Sequence, residues 1–235
     1  MRRLLPLLIL VICLALGAQA ALELDWQEGE AWFPQEKDWT YHYVYRYPVA
    51  QGEEEAAAAV NYYFDNAIGE MTRLVLPMYA ADPVMAGGQQ HQFKQDYTVT
   101  CNNEDFFSFL LTQHQTVEGK GLISLSSAVF ALAGEYTGQT LTLRGLVQVG
   151  DSSQQLGEAV RQDIWRQVAD QIAAGDSAWH AELSQEKLFS EFYPETQFYA
   201  DEAGNAVFYL QPAEFRQDTQ VITFTYTPED LEKLL

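Results

Sequence analysis

Two things are scarce in this sequence, cysteine and positive charge. There are two cysteines, and one of them, Cys13, lies in an N-terminal apolar run, so no disulfide framework can be built and stability has to come from a buried core. Thirteen Lys and Arg stand against 33 Asp and Glu, a formal charge of −20. Such a field repels nucleic-acid phosphates and anionic cell-wall polymers and speeds encounters with cationic partners. The four histidines, His42, His91, His114 and His180, are scattered, with no pair at metal-ligand spacing. Gly-x-Ser-x-Gly, His-Glu-x-x-His and glycine-rich phosphate loops are all missing from the sequence. No catalytic residue, metal site or cofactor is therefore assigned. The many carboxylates do not by themselves mark a glycosidase pair. Asp201 to Asn205 lacks the alternating acids and distal Glu of a calcium loop, so it reads as a hairpin turn.

The N-terminus has the three parts of a secretory signal peptide: Met1-Arg2-Arg3, the apolar run Leu4 to Leu16, and the small-residue site ending at Ala20. The run is shorter than the roughly 20 residues that span a bilayer. Cleavage after Ala20 is expected, giving a secreted protein with no transmembrane anchor. A lipid anchor on Cys13 is the lesser reading, because Ile12 stands where lipid attachment takes a small residue. Cleavage removes Arg2 and Arg3 and no acid, so 13 basic side chains become 11 and the charge moves from −20 to −22.

Hydrophobic residues make up 48% of the chain, enough to bury a core. Residues 21–38 carry scattered acids, Trp26, Trp32 and Pro34, and read as an extended lead-in. Tyr41, Tyr43, Tyr45 and Tyr47 then alternate with His42, Val44 and Arg46 at the period of a strand. Such a row is either core or a stacking platform for sugars, which makes Tyr41, Tyr43 and Tyr45 the candidate ligand-binding residues. From Glu53 to Met78, Val60, Phe64, Ile68, Met71, Val75 and Met78 recur at helical spacing, with Pro77 and Pro83 closing the helix and Gly87-Gly88 turning the chain. A hairpin is expected from Gln92 to Gln113 around Asn102 to Asp105, with Cys101 a buried, inert thiol. Leu122 to Tyr136 is β-type and resumes at Thr140 to Leu143 after a turn at Gly138. A second helix capped by Ser152 carries Leu156, Val160, Ile164, Val168 and Ile172 and ends at Gly175. A short helix over Trp179 to Phe189, a hairpin around Asp201 to Asn205, a strand from Gln220 to Tyr226 and a helical turn from Pro228 complete the chain. This order predicts an α+β fold of antiparallel sheets packed with two main helices, in two adjoining subdomains, 39–118 and 119–235.

Several segments together resemble a known family. Val60 to Phe64 and Asp96 to Asn102 resemble the start of the extracellular region, a domain of unknown function, of the anti-sigma factor RsiV and of the peptidoglycan deacetylase PdaC. Tyr136 to Leu146 resembles that family's turn. Glu191 to Tyr199, Gly204 to Leu210 and Val221 to Tyr226 resemble its closing strands. Where the family often has Gly-Gly-Ala-His-Gly, this chain has Ser126-Ser127-Ala128-Val129-Phe130. It also lacks the signalling segments of an anti-sigma factor and the catalytic domain of a deacetylase. The resemblance implies an extracytoplasmic, RsiV-like ligand-binding domain, the ligand in the RsiV branch being lysozyme. Lysozyme or another cationic protein would suit the charge. Binding of peptidoglycan or another cell-wall glycan is the alternative function, and cell-wall hydrolysis by the protein itself the remaining one.

Overall fold

The computed structural model describes residues 21–82, 84, 90–117, 120–147, 153–218 and 220–235. The expected signal peptide, Pro83, Gly87-Gly88 and the expected Ser152 cap lie outside them. The architecture is α+β, built on a five-stranded and a three-stranded sheet.

The larger sheet has the order β1 (Leu24–Phe33), β2 (Tyr41–Ala50), β3 (His91–Asn102), β4 (Phe106–Val117) and β5 (Lys120–Ala131). The extended lead-in is thus an edge strand, paired antiparallel with β2 along its whole length. All neighbours are antiparallel except β2 and β3, which run parallel. Short turns force antiparallel pairing, but β2 and β3 are joined by a helical crossover that returns the chain to the same end of the sheet. The sheet continues past the expected subdomain boundary, since β5 pairs with β4 from Val117↔Lys120 to Phe106↔Ala131.

The crossover starts with helix α1 (Glu55–Glu70), whose Val60, Phe64 and Ile68 are buried against Tyr43, Tyr97, Phe107 and Phe109. Each such side chain removed from water contributes about 1.5–3 kcal/mol. The helix does not continue unbroken to Met78. A π-type turn (Met71–Val75) intervenes, the Leu76 N–H bonding back to the Met71 carbonyl, before helix α2 (Leu76–Ala81). The extra residue in that turn rotates the buried stripe. Leu76 is fully buried, whereas Met78, expected inward from the spacing, is 57% exposed. Pro77 opens α2 rather than closing α1, because a first-turn residue needs no helical N–H partner.

After β5 the chain turns through 132–139. Thr140 makes only a single bridge to Phe130, and Leu143 begins helix α3 (Leu143–Val147), so the strand expected at Thr140 to Leu143 is absent. Helix α4 (Ser153–Ala173) buries Leu156, Val160, Ile164 and Val168, and Gly175 follows with φ +95°. Helix α5 (Gln185–Glu191) starts at Ser184, whose hydroxyl accepts the Lys187 N–H; Trp179 precedes it and instead bridges to Arg216. Strands β6 (Phe198–Ala200), β7 (Ala206–Leu210) and β8 (Ile222–Tyr226) form the second sheet, with helix α6 (Pro212–Phe215) between the last two. Helix α7 (Pro228–Leu234) is held at its start by a capping box between Thr227 and Asp230.

Two cores result. One fills the space between α1 and the larger sheet, and the other joins α4 to the smaller sheet and reaches the opposite face of the larger one at Cys101 and Val129. A β-bulge between Val99 and Cys101 makes this sharing possible. Before the bulge Tyr97 points at α1. The extra residue reverses the alternation, so Cys101 points into the second core. Hydrogen bonds stitch the halves: a buried one from Ala200 N–H to Ser108 Oγ at 3.0 Å, and partly buried ones between the Gln211 amide and both backbone groups of Leu125.

Candidate functional site: an acidic pole where the two sheets meet

Tyr41 and Tyr43 are core residues, 3% and 0% exposed, and not an open platform. The tyrosine row lies on the face that α1 covers; the Tyr43 hydroxyl donates to the side-chain oxygen of buried Gln95. Burial, with the neighbouring tyrosines, raises the Tyr43 pKa. Tyr45 is half-buried, its ring lying across Gly29 of β1, where a Cβ would stand 2.3 Å from the phenol oxygen. Tyr41 and Tyr43 offer no free ring face suited to stacking a sugar, because the core beneath α1 takes up that side.

Two adjoining clefts lie at one end of the molecule. One, of about 760 Å³, is lined by Asp105, Phe106, Ala203, Gly204, Pro228 and Glu232, together with the 133–134 and 146–147 segments. The other, of about 850 Å³, shares Ala133 and Gly134 and runs along Glu135, Tyr136, Thr140 and Arg144. Four local structures converge here, each set by its own sequence. In the β3–β4 turn the Asn103 side chain accepts the N–H groups of Asp105 and Phe106 at 2.9 and 2.8 Å, which leaves Glu104 and Asp105 in solvent. In the β6–β7 turn Asp201 accepts from Ala203 and Asn205 N–H at 2.9 Å each, and Gly204 supplies φ +80°. Asp201 is therefore a turn-former, as its sequence context indicates, and Glu202 stands exposed beside it. The third is the turn carrying Glu135 and Tyr136, bound to the first by Leu132 N–H to the Asp105 carbonyl at 2.7 Å. Its Gly138, at φ +76°, lies against Glu55 and Ala59 of α1. The fourth is α7, with Glu232 at the cleft wall.

Cys101, just beneath this pole, registers its charge. Burial pushes the thiol up to about 11; a hydrogen bond from the Asn103 backbone opposes this, and the negative Asp201, Glu202 and Asp105 add to it. An inert thiol follows, since the thiolate is the reactive form. No group of three or more His, Cys, Asp and Glu able to hold a metal exists among the described residues. No helix among them is long and apolar enough to cross a membrane.

The shape of the chain as a whole has known counterparts. The fold is that of the DUF3298 proteins. A DUF3298 family member from Bacteroides fragilis matches with a TM-score of 0.58 at 16% identity, over 91% of this chain and 93% of that one. A DUF3298 family protein from Pseudomonas aeruginosa PAO1 matches with a TM-score of 0.54 at 12% identity, over 92% and 95%. No protein-family model matches the sequence, and no curated protein does. The DUF3298 likeness spans both sheets and brings an architecture for domains of unknown function. At this identity it carries no site residues.

The acidic pole escapes a sequence reading. Glu104, Asp105, Glu135, Glu202 and Glu232 sit in separate turns and one helix, spread over more than half the chain, and each looks like an ordinary solvated loop acid. The signal available was that both hairpin turns, Asn102 to Asp105 and Asp201 to Asn205, are acidic; that they share one end of the molecule is a tertiary fact.

Proposed function

We propose that the protein is an extracytoplasmic binding domain, without catalysis of its own, whose partner is a cationic protein such as lysozyme docked on the acidic pole. The observation that carries this reading is the convergence of acidic turns from both sheets around two adjoining clefts, in a chain of formal charge −20. A positive partner is steered to such a surface and held by pairs at its rim. The resemblance to the RsiV extracellular region supports the same partner, and the N-terminal Arg-Arg, apolar and small-residue sequence supports export. Exposed Tyr136 offers an aromatic anchor beside the charges.

The test is calorimetry of the purified protein with lysozyme at low and at physiological salt. Binding should weaken as salt rises, because exposed charges are screened beyond about 8 Å at physiological ionic strength. Replacing Glu104, Asp105 and Glu202 together by lysine should lower the affinity at least tenfold at low salt and flatten the salt dependence. Absence of binding at either salt concentration removes lysozyme as the partner.

A further inference from the structure

The larger sheet has a second face, turned away from α1. The smaller sheet covers it at β4, β5 and the far end of β3. Over β1, β2 and the first half of β3 the described side chains of this face are exposed or half-exposed. Strand alternation and register put three rungs there: Trp32, His42 and Gln92; Glu30, Val44 and Lys94; Glu28, Arg46 and Asp96, with Trp26 beyond the last. They bound a cleft of about 470 Å³ whose floor is the Gly29, Tyr45 and Gln95 rung.

The side chains on this face are ordered by one another. The Arg46 guanidinium lies 3.8 Å over the Trp26 ring and reaches Glu28 at 3.1 Å. Trp32 stacks on His42 with centroids 4.7 Å apart and planes 5° from parallel, and Trp39 tilts against the same imidazole. His42 Nε2 meets Glu30 at 3.2 Å, and Lys94 stands 3.8 Å from Asp96. Three of the five tryptophans of the chain thus surround one patch.

Its charge sets it apart from the rest of the surface. Glu28, Glu30 and Asp96 against Arg46 and Lys94 sum to −1 with His42 neutral, in a chain of −20. A cationic protein gains little here, and an anionic polymer is repelled by the molecule as a whole. Val44 alone is too little to hold an apolar ligand. What the patch offers is indole surface together with carboxylate acceptors and ammonium and guanidinium donors. That combination matches pyranose rings, which have apolar faces and hydroxyls around their edges.

We propose that this face is a binding site for an uncharged oligosaccharide, separate from the acidic pole. The chain of sugars lies along β1, between Trp26 and Trp32, which stand roughly 20 Å apart at the rise of a strand, room for several rings. Glu28 and Glu30 accept hydroxyl hydrogens and Lys94 donates to ring or hydroxyl oxygens. The Trp26 and Trp32 indoles, stiffened by Arg46 and His42, provide the stacking surfaces.

The experiment is titration of the purified protein with N-acetylchitotetraose and with cellotetraose, read by calorimetry and by tryptophan fluorescence. Saturable binding of at least one, with a fluorescence change, is the expected result. Trp26→Ala and Trp32→Ala should each weaken it at least tenfold. So should the double variant Glu30→Gln/Lys94→Ala, which alters two exposed side chains and leaves both cores intact. No binding of either tetrasaccharide overturns the proposal. So does undiminished affinity in the Glu30→Gln/Lys94→Ala protein, whether or not the tryptophan variants fold. Lysozyme binding should be unchanged in the double variant, which keeps this site distinguishable from the acidic pole.

Discussion

At the scale of single residues, the tyrosine row of β2 shows how one strand serves the core and a solvent face at once. Tyr43 and Gln95 are both buried and satisfy each other. Removing the hydroxyl in Tyr43→Phe strands the Gln95 oxygen, and a buried unsatisfied acceptor costs about 1–3 kcal/mol. Urea denaturation should show that loss as a lower midpoint at unchanged slope. Gly29 leaves room for the Tyr45 ring: a Cβ there would push the phenol end of that half-buried side chain aside. Gly29→Ala should therefore displace the Tyr45 ring and destabilise by about 1 kcal/mol, the low end of the cost of overpacking, because the displaced atoms can move toward solvent. Cys101, 1% exposed and with its pKa pushed up to about 11, should react with a thiol reagent at pH 8 only at the rate of unfolding; rapid labelling of the native protein would contradict its placement.

At the scale of elements, the two irregularities matter more than the regular strands and helices. The π-type turn decides which side chain of the α2 segment enters the core. Leu76→Ala should cost about 2–5 kcal/mol as a core truncation, whereas Met78→Ala should stay within about 0.5 kcal/mol, as an exposed change does. An unbroken helix with the spacing of Val60, Phe64 and Ile68 would place Met78 inward, so the pair of thermal unfolding measurements separates the two geometries. The bulge at Thr100 acts likewise on β3. Without it Cys101 would point at α1, and the second sheet would meet a face built for a different neighbour.

For the whole molecule, the acidity that suits a cationic partner also sets the response to pH. Among the described residues four carboxyls are held below their ordinary range. For Asp163, burial acts upward, but hydrogen bonds from Arg166, Tyr226 and Gln167 outweigh it. Asp176 is lowered by the Ala178 N–H and by Arg216, Asp218 chiefly by Arg216, and Asp230 by Thr227. A carboxyl with a depressed folded pKa binds fewer protons than it does in the unfolded chain, so the stability it adds is present above an unfolded pKa of about 3.9. That stability is lost as the pH falls through the folded value. The melting temperature should therefore drop between about pH 5 and pH 3, and less steeply in Asp163→Asn than in the parent. Calorimetric scans across that range check it, and a flat profile would contradict the assigned pairs.

The α+β class, the hairpins around Asn102 to Asp105 and Asp201 to Asn205, and the face of α4 are legible in the sequence because period, turn residues and caps act locally, within a few neighbours. Leu156, Val160, Ile164 and Val168 could be placed in a core without knowing what covers them. The role of Tyr41, Tyr43 and Tyr45 could not, because an aromatic row reads the same whether a helix or solvent lies over it. Nor could the strand character of Leu24 to Phe33, whose Trp26, Glu28, Glu30 and Trp32 alternate on a polar face that a hydrophobic pattern does not reveal. The sequence by itself determined the elements, the acidic charge and the need for a core without disulfides. Only the tertiary structure decided which turns share a pole and which sheet face stays open, because those depend on contacts between residues distant in the chain, such as Ser108 with Ala200 and Leu125 with Gln211.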